Sequence, residues 1–213
     1  MRTLLWIDSK TIDYLEQQLE SGGVVLAQGD TVLGLLAAVS REGFLSLNRI
    51  KAREEKPYLL LVHDYKKALD LIEIPQDKSL QFENFMNSCW PGPVTLIFRA
   101  KQGIGQYMKA PNGTIAVRVP QHVGLLKLLE RFNALFSTSA NSSGVPVPGS
   151  IKEVEAGILN SVSSIVLNDE SEHAQSTAPS TIIDCTGDQV VVVRKGAFPI
   201  DTLIAIFGKD LLV

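Results

Sequence analysis

Three stretches of the sequence carry polar side chains that could hold a phosphorylated ligand. The first, Phe136–Gly149, reads FSTSANSSGVPVPG and follows the apolar residues Ala134 and Leu135, which indicate the end of a buried strand. Its hydroxyls, amide side chain and backbone N–H groups are suited to phosphate and sugar oxygens. Because the same residue types are also the commonest turn formers, composition alone favours an ordinary strand-to-helix connection.

The second stretch ends a predicted helix with the cations Lys51 and Arg53, and Lys56 follows closely. An ammonium beside a guanidinium fork suits a polyphosphate, because the fork can bind two oxygens at once. Cations at the end of a helix also offset its dipole, and Glu54 and Glu55 could neutralise the pair. Taken alone, this stretch favours the interpretation that the cations only offset the helix dipole.

The third stretch is a predicted strand, Thr114–Val119, in which Arg118 lies between two valines. Neighbouring residues of a strand point to opposite faces, so Arg118 points away from the valines on either side. If that face borders a cleft, Arg118 would clamp a carboxylate or a phosphate. If it borders solvent, Arg118 is an ordinary strand charge.

Several familiar catalytic patterns are missing from the sequence. It contains no Gly-x-x-x-x-Gly-Lys-Ser/Thr run, which excludes a P-loop NTPase, and no Gly-x-Ser-x-Gly nucleophile elbow. The three histidines, His63, His122 and His173, stand in unrelated contexts. A serine or cysteine nucleophile activated by a histidine is therefore disfavoured.

Composition indicates a single α/β domain over residues 1–213. The chain is 45% hydrophobic and carries a net charge of −3, so charge does not predict tight non-specific binding of nucleic acid. Cys89 and Cys185 show no Cys-x-x-Cys spacing, which argues against a zinc site or a disulfide framework and favours a reducing compartment. The apolar run at the N-terminus is too short for a signal peptide or a membrane span, so we expect a soluble cytoplasmic protein without membrane contact.

Alternating strand and helix patterns position these stretches. They predict a twisted mixed open sheet with flanking helices, in which two hairpin-like pairs interrupt the strict alternation. One hairpin would join Thr181–Asp184 to Gln189–Arg194, and Asn168–Pro179 reads as a polar, mobile segment. The expected helices include one over Asp64–Ile72 and one from about Ile151 to Leu159.

Read together, these stretches resemble those of the YrdC/TsaC family of threonylcarbamoyl-AMP synthases, over roughly residues 21–197. Each match is weak alone, but seven of them stand in the family's order, which makes the resemblance specific. The matching stretches are Gly29–Leu35, Lys51–Arg53, Trp90–Thr95, Ala116–Pro120, Ser137–Gly144, Pro179–Asp184 and Val193–Ala197.

The resemblance implies a YrdC-like fold with a large concave cleft and a reaction among L-threonine, bicarbonate and ATP. The products would be threonylcarbamoyl-AMP and pyrophosphate, the former for threonylcarbamoyladenosine modification of tRNA next to the anticodon. Magnesium would accompany ATP, and no dedicated metal site is visible in the sequence. Downstream threonylcarbamoyl-transfer proteins are implied as partners, and binding of RNA or tRNA is possible within this picture.

The resemblance also assigns residues, position by position. No covalent nucleophile is implied, and alignment of the substrates would fall to Lys51, Arg53 and Arg118. The implied ATP site consists of Lys51, Arg53, Lys56, Thr114, Ser139, Asn141 and Arg194. The implied threonine site consists of Thr31, Arg118, Ser137 and Ser180.

The chain departs from the family's pattern in two places. Gln28, Gly29 and Leu33 replace the proline, threonine and aromatic residue of the family's Pro-Thr-Asp/Glu-Thr-Val-Tyr/Phe-Gly-Leu motif. Many relatives have a histidine of the threonine pocket where this chain has Leu61, and His63 two residues later could take its place.

These departures keep two other functions open. One is a relative of the same fold without synthase activity that binds nucleotide or double-stranded RNA. The other is a non-catalytic RNA-binding module with a local basic face, against which the net charge of −3 and the few aromatics in basic stretches argue.

Overall fold

The computed structural model describes residues 2–52, 57–168, 178–208 and 211–212, in which one mixed sheet carries helices on both faces. Its strands are β1 (Arg2–Leu5), β2 (Val24–Ala27), β3 (Gly34–Ala38), β4 (Leu59–Leu61), β5 (Ile72–Glu73), β6 (Val94–Ala100), β7 (Thr114–Arg118), β8 (Leu135–Ser139), β9 (Ser164–Leu167), β10 (Thr181–Asp184), β11 (Val190–Arg194) and β12 (Leu211–Leu212). Its helices are α1 (Thr11–Glu20), α2 (Arg41–Lys51), α3 (Tyr65–Leu69), α4 (Ser79–Cys89), α5 (Val123–Leu129), α6 (Ala156–Leu159) and α7 (Ile200–Phe207).

The strand order confirms the predicted mixed open sheet. It runs β1-β9-β2-β3-β8-β4-β7-β6-β10-β11-β12, with β5 paired to β6. Parallel pairs such as β4 with β7 and β6 with β10 alternate with antiparallel pairs such as β3 with β8 and β6 with β7. The predicted hairpin is present as the antiparallel pair β10 and β11.

Two apolar cores lie on opposite faces of this sheet. Alternate strand residues divide between them, as Leu60 and Leu61 show by belonging to different core clusters. The larger core packs α2, α4 and α7 against the sheet, and the smaller core packs α1 and α5 against its other face. The smaller core covers only part of its face, which leaves room there for a cavity.

The prediction of one continuous helix from Ile151 to Leu159 is wrong. A 3₁₀ turn over Ile151–Glu153 is separated from the four-residue helix α6 by extended backbone at Val154. The carboxylates on either side bind the preceding loop, since Glu153 accepts from the Gly149 N–H at 2.9 Å and Glu155 accepts from the Ser142 N–H at 2.7 Å. These bonds hold the chain in a bend that a regular helix could not follow.

Two smaller differences concern helix ends. The helix predicted over Asp64–Ile72 is capped by Asp64 but ends at Leu69, because Ile72 joins β5 on the edge of β6. A cap for the first helix is expected at Asp8 or Ser9, but Lys10 occupies that position and makes no side-chain capping bond. Residues 169–177 of the predicted mobile segment lie outside the described residues.

Within the described ranges, no helix combines the length and the apolar composition needed to span a bilayer.

The packing of Trp6 on α5 generates a stability prediction. A Cβ on Gly124 would lie 2.5 Å from the Trp6 ring, whereas a Cβ on Gly157 in α6 would meet nothing within 4 Å. Gly124→Ala should lower the free energy of unfolding by about 1–3 kcal/mol through overpacking. Gly157→Ala should leave it unchanged or raise it by up to about 1 kcal/mol, because alanine favours a helix over glycine. Urea unfolding of both variants measures the difference, and equal stabilities would contradict the packing described.

Candidate substrate-binding cavity

A cavity of about 360 Å³ opens on the sheet face that the smaller core leaves partly uncovered. Its floor is formed by side chains of β3, β4, β6, β7, β8 and β10, and the loop between β2 and β3 forms one wall. Six residues predicted to bind substrates line it together: Thr31, Arg118, Ser137, Ser139, Ser180 and Arg194.

The register of the strands explains why two distant arginines meet in this cavity. Leu61 of β4 pairs with Arg118, and continuation of the β6–β7 register brings Thr95 opposite Arg118 on the other side. Thr95 in turn pairs with Ile182, which pairs with Arg194. The two guanidinium groups therefore lie on one row across the sheet.

Arg118 is buried beside an acidic partner. Its side chain is 5% exposed and that of Asp30 is 8% exposed, and the two join through Nη2 and Oδ1 at 2.5 Å. Nη1 of Arg118 donates to Oγ1 of Thr31 at 3.0 Å, and Oδ2 of Asp30 accepts from the Gln121 N–H at 2.8 Å. Burial lowers the pKa of Arg118 from its ordinary value, and Asp30 opposes that shift.

Not every donor of Arg118 has a partner. Its Nε is fully buried and has no hydrogen-bond partner in the described part of the chain. An unsatisfied buried N–H costs about 1–3 kcal/mol, which adds to the cost of burying this cation. Because Arg118 lines the cavity, the structure supports the cleft alternative over the solvent alternative for this residue.

Arg194 is held at the far end of the same row by Ser180. Its Nε and Nη2 donate to the Ser180 carbonyl oxygen at 3.2 and 2.9 Å. The Ser180 hydroxyl lies 2.8 Å from that of Thr95, so β6 and β10 are joined at the cavity floor. Burial lowers the pKa of Arg194, and the charge of Arg118 lowers it further, as expected of two cations that share one cavity.

Lys51 brings a third cation to the loop after β8. The helix α2 ends there because Ala52 adopts the left-handed conformation, with φ at 44°. Lys51 is 4% exposed as a residue, and its ammonium donates to the carbonyl oxygens of Ser139, at 2.7 Å, and Asn141. Oγ of Ser139 donates to Oδ1 of Asn141 at 2.5 Å, so these three predicted residues form one connected group.

Glu155 fixes the outer side of that loop. Its carboxylate accepts from the Ser142 N–H at 2.7 Å, and Nδ2 of Asn141 donates to the Val145 carbonyl oxygen at 2.5 Å. The hydrogen bonds from Ser142 lower the pKa of Glu155, and the nearby charge of Lys51 adds to the effect. An ionised Glu155 thus holds the loop in a single shape beside the Lys51 cation.

Sequence reasoning missed three of these residues. Asp30, Thr95 and Glu155 hold Arg118, Ser180 and the loop after β8, respectively. Asp30 and Thr95 lie inside two of the matching stretches, which was a usable signal. Glu155 lies outside those stretches, and only the folded structure shows that it binds the Ser142 N–H.

Lys51 and Asn141 do not themselves line the cavity, but both are bonded to Ser139, which does. The Thr114 hydroxyl donates to Oδ1 of Asn112 at 2.8 Å, and Thr114 is not among the residues that line the cavity. Arg53 and Lys56 lie outside the described residues, so their predicted contacts with ATP stay predictions.

The departures from the family's pattern fall in different places. Leu61 lines the cavity, whereas His63 lies in a second pocket, where its ring contacts Asp64 at 3.0 Å and Glu130 at 3.8 Å. The idea that His63 takes over from the family's histidine is therefore wrong. Leu33 is fully buried in the larger core, so the missing aromatic ring changes the core and not the cavity.

The cysteines are not nucleophiles in this structure. Both thiols are free and buried, and burial raises the pKa of Cys89 to about 12 and that of Cys185 well above its ordinary value. Among the described residues, no group of three or more His, Cys, Asp or Glu side chains could hold a metal ion.

Comparison with known proteins decides the family. The model of the Sua5/YciO/YrdC family, which carries the description telomere recombination, matches residues 17–196. This chain belongs to that family. The Sua5/YciO/YrdC assignment agrees with the resemblance inferred from the seven motifs.

Two archaeal proteins show the relation at the level of sequence. A protein of Methanocaldococcus jannaschii, provisionally named a threonylcarbamoyl-AMP synthase, is 27% identical over 91% of this chain and 89% of its own length. The threonylcarbamoyl-AMP synthase of Pyrococcus abyssi is 27% identical over 90% of this chain. The present chain spans only 55% of the Pyrococcus protein.

Solved structures show the same fold. P. abyssi Sua5 complexed with L-threonine superposes with a TM-score of 0.84 at 25% identity, over 98% of this chain and 61% of that one. Escherichia coli YciO gives a TM-score of 0.78 at 20% identity, over 97% of this chain and 98% of its own, and this likeness shows the fold alone.

The Arg118–Asp30 pair can be tested against an exposed pair of the same kind. Asp30→Asn would leave the buried guanidinium without a counter-charge and should lower the free energy of unfolding by about 3–5 kcal/mol. Asp13→Asn removes the partner of Arg131 in a pair whose side chains are 67% and 51% exposed. This change should alter the free energy of unfolding by less than about 1 kcal/mol. Urea unfolding compares the two variants, and similar losses in both would show that the Asp30 pair is not structural.

Proposed function

We propose that this chain is an L-threonylcarbamoyladenylate synthase, which makes threonylcarbamoyl-AMP and pyrophosphate from L-threonine, bicarbonate and ATP. The observation that carries the proposal is the guanidinium of Arg118, held by Asp30 and Thr31 in a cavity that it shares with Arg194 and the Ser139 loop. The names of the two archaeal relatives and the L-threonine complex of P. abyssi Sua5 support it.

The amino-acid end of the cavity would be the part around Arg118. Nη1 and Nη2 of Arg118 each carry a second N–H besides the one that binds Thr31 or Asp30, and a carboxylate would accept from these groups. Ser137 and Ser180 line the cavity nearby and would border the amino group of the amino acid. Because Asp30 fixes the fork, the carboxylate would enter a preorganised site.

The nucleotide end would be formed by the Ser139 loop and Arg194. Lys51, Ser139 and Asn141 form a connected polar group with one positive charge, and Arg194 would bind the triphosphate from β11. We assign Arg53 and Lys56 to the same phosphates. Magnesium would arrive bound to the phosphate oxygens and neutralise part of their charge, and the chain would add few or no ligands of its own.

The chemistry requires alignment and charge neutralisation more than a protein nucleophile. The threonine nitrogen attacks the bicarbonate carbon, and loss of water leaves a carbamate. A carbamate oxygen then attacks the α-phosphorus, and the bond to the bridging oxygen breaks so that pyrophosphate leaves. Arg118 and Arg194 would hold two anions that repel each other at reacting distance, and fixed cations would stabilise the charge that develops.

The product would enter tRNA modification. Threonylcarbamoyl-AMP is a mixed anhydride, so a threonylcarbamoyl-transfer protein would deliver its acyl group to the adenosine next to the anticodon. We place this step in the cytoplasm and treat direct contact with tRNA as part of the proposal. A nucleotide- or RNA-binding relative without synthase activity has less support, because it gives no reason for a carboxylate site at Arg118.

The proposal predicts threonine-dependent release of pyrophosphate. The purified chain is supplied with ATP, magnesium and bicarbonate, with and without L-threonine, and pyrophosphate is followed by a coupled assay while mass spectrometry identifies the adenylate. Release that needs both threonine and bicarbonate supports the synthase. Binding of ATP without any threonine-dependent release would refute it.

A second prediction separates the two ends of the cavity. Arg118→Lys keeps the charge beside Asp30 but loses the fork and Nε, so the KM for threonine should rise about tenfold or more, the equivalent of one charged hydrogen bond. The KM for ATP should change less than about threefold, since Lys51 and Arg194 are untouched. Arg99→Lys, on the exposed part of β6, is the matched control and should change neither constant. Equal rises in both constants would show that the role of Arg118 is misassigned.

A further inference from the structure

An aliphatic wall lies next to Arg118 in the cavity, formed by Leu36, Leu61 and Leu125. Leu61 is the direct cross-strand partner of Arg118, Leu36 lies on β3, and Leu125 reaches over from α5. All three belong to the smaller core and are at most 4% exposed. The side of the cavity nearest the carboxylate site therefore presents methyl groups.

Gly29 extends this apolar character. A Cβ at position 29 would lie 3.0 Å from Cδ1 of Leu125, which is closer than ordinary contact. The Leu125 side chain thus occupies the volume that a side chain at position 29 would need. A polar side chain at position 29 would therefore have to displace Cδ1 of Leu125 to enter the wall.

Most hydroxyl groups of the cavity are bonded to other protein groups. Thr95 and Ser180 bond each other at 2.8 Å, and Ser139 donates to Asn141. Thr31 accepts from Arg118 at 3.0 Å. Ser137, opposite Leu36 on β8, is the remaining hydroxyl to consider, and a test of it follows below.

We propose that the amino-acid site recognises a short branched side chain by its aliphatic shape and not by its hydroxyl, so that L-valine is a substrate beside L-threonine. This inference rests on the proposed function and names Leu61 as the residue that sets the selectivity. Valine has a methyl group where threonine has its hydroxyl, and both have the same branched shape. The valine nitrogen would form the carbamate with loss of water, and pyrophosphate would leave as it does with threonine.

The size of the selectivity distinguishes the two kinds of site. A pocket that hydrogen-bonds a substrate hydroxyl rejects the analogue that lacks it by about 10⁴–10⁵, whereas an apolar pocket separates such a pair by only about 10². We expect kcat/KM for valine to lie within about 10³ of the value for threonine. L-Serine, which lacks the methyl group, should be about tenfold or more worse than threonine.

The first experiment measures pyrophosphate release by the full chain with ATP, magnesium, bicarbonate and each amino acid in turn. A valine value more than about 10³ below that of threonine overturns the inference and leaves the synthase intact. If neither amino acid gives release, the proposed function fails. The wall is then still tested by calorimetry, in which the Kd values for valine and threonine should agree within about tenfold and a larger preference for threonine counts against it.

Two variants of nearly equal size test Leu61 itself. Leu61→Gln brings an amide to the wall and should raise the preference for threonine over valine about tenfold, while Leu61→Met keeps the wall apolar and should leave that preference unchanged. The same preference in both variants overturns the role of Leu61. If Leu61→Gln does not fold, the ratio measured on the unmodified chain decides the question.

Ser137 supplies the opposite test. If the threonine hydroxyl bonds Ser137, then Ser137→Ala should lower kcat/KM for threonine about tenfold and leave valine unaffected, which would contradict the proposal. If recognition is by shape, the variant changes both amino acids by the same factor.

Discussion

A buried ion pair between Arg118 and Asp30 is the constraint on which the rest of the site depends. Taking two charges out of water costs several kcal/mol per ion, and the attraction between them offsets this only when the geometry is good and other polar atoms are satisfied. Here Asp30 also accepts from the Gln121 N–H, and Arg118 also donates to Thr31. The pair therefore ties the loop after β2 to the end of β7, and both segments line the cavity.

A chain of hydrogen bonds keeps that loop in place from behind. Trp6 donates through Nε1 to the carbonyl oxygen of Gln28, and the side-chain oxygen of Gln28 accepts from the Asn168 N–H, both at 2.8 Å. His122 contacts Oδ1 of Asn168 at 2.7 Å, and its Nδ1 accepts from the Leu125 N–H at 3.1 Å, which assigns the ring proton to Nε2. A proline at position 28, as in the family's motif, could make no such side-chain bond. In this chain Gln28 therefore anchors the loop by a hydrogen bond that the family's proline cannot make.

Local patterns of the sequence predicted most of the elements and the hairpin of β10 and β11, but not the other pairings between strands. The valines beside Arg118 showed that it faces away from them. The sequence could not show that Asp30 would meet Arg118, since 88 residues separate them and only the strand order brings them together. The break before α6 was missed for a related reason, because its cause is a contact of Glu155 with Ser142, 13 residues earlier.

The two arginines on one row give the cavity an electrostatic reason to bind anions. The charge of Arg118 makes protonation of Arg194 less favourable, and this repulsion is present whenever the cavity holds no counter-ion. Asp30 cannot relieve it fully, because its two oxygens already bind Arg118 and the Gln121 N–H. A carboxylate at one arginine and a phosphate at the other would each relieve part of the repulsion. The two cations would attract both anions, so that a chain with a net charge of −3 would still collect two negatively charged substrates in one place.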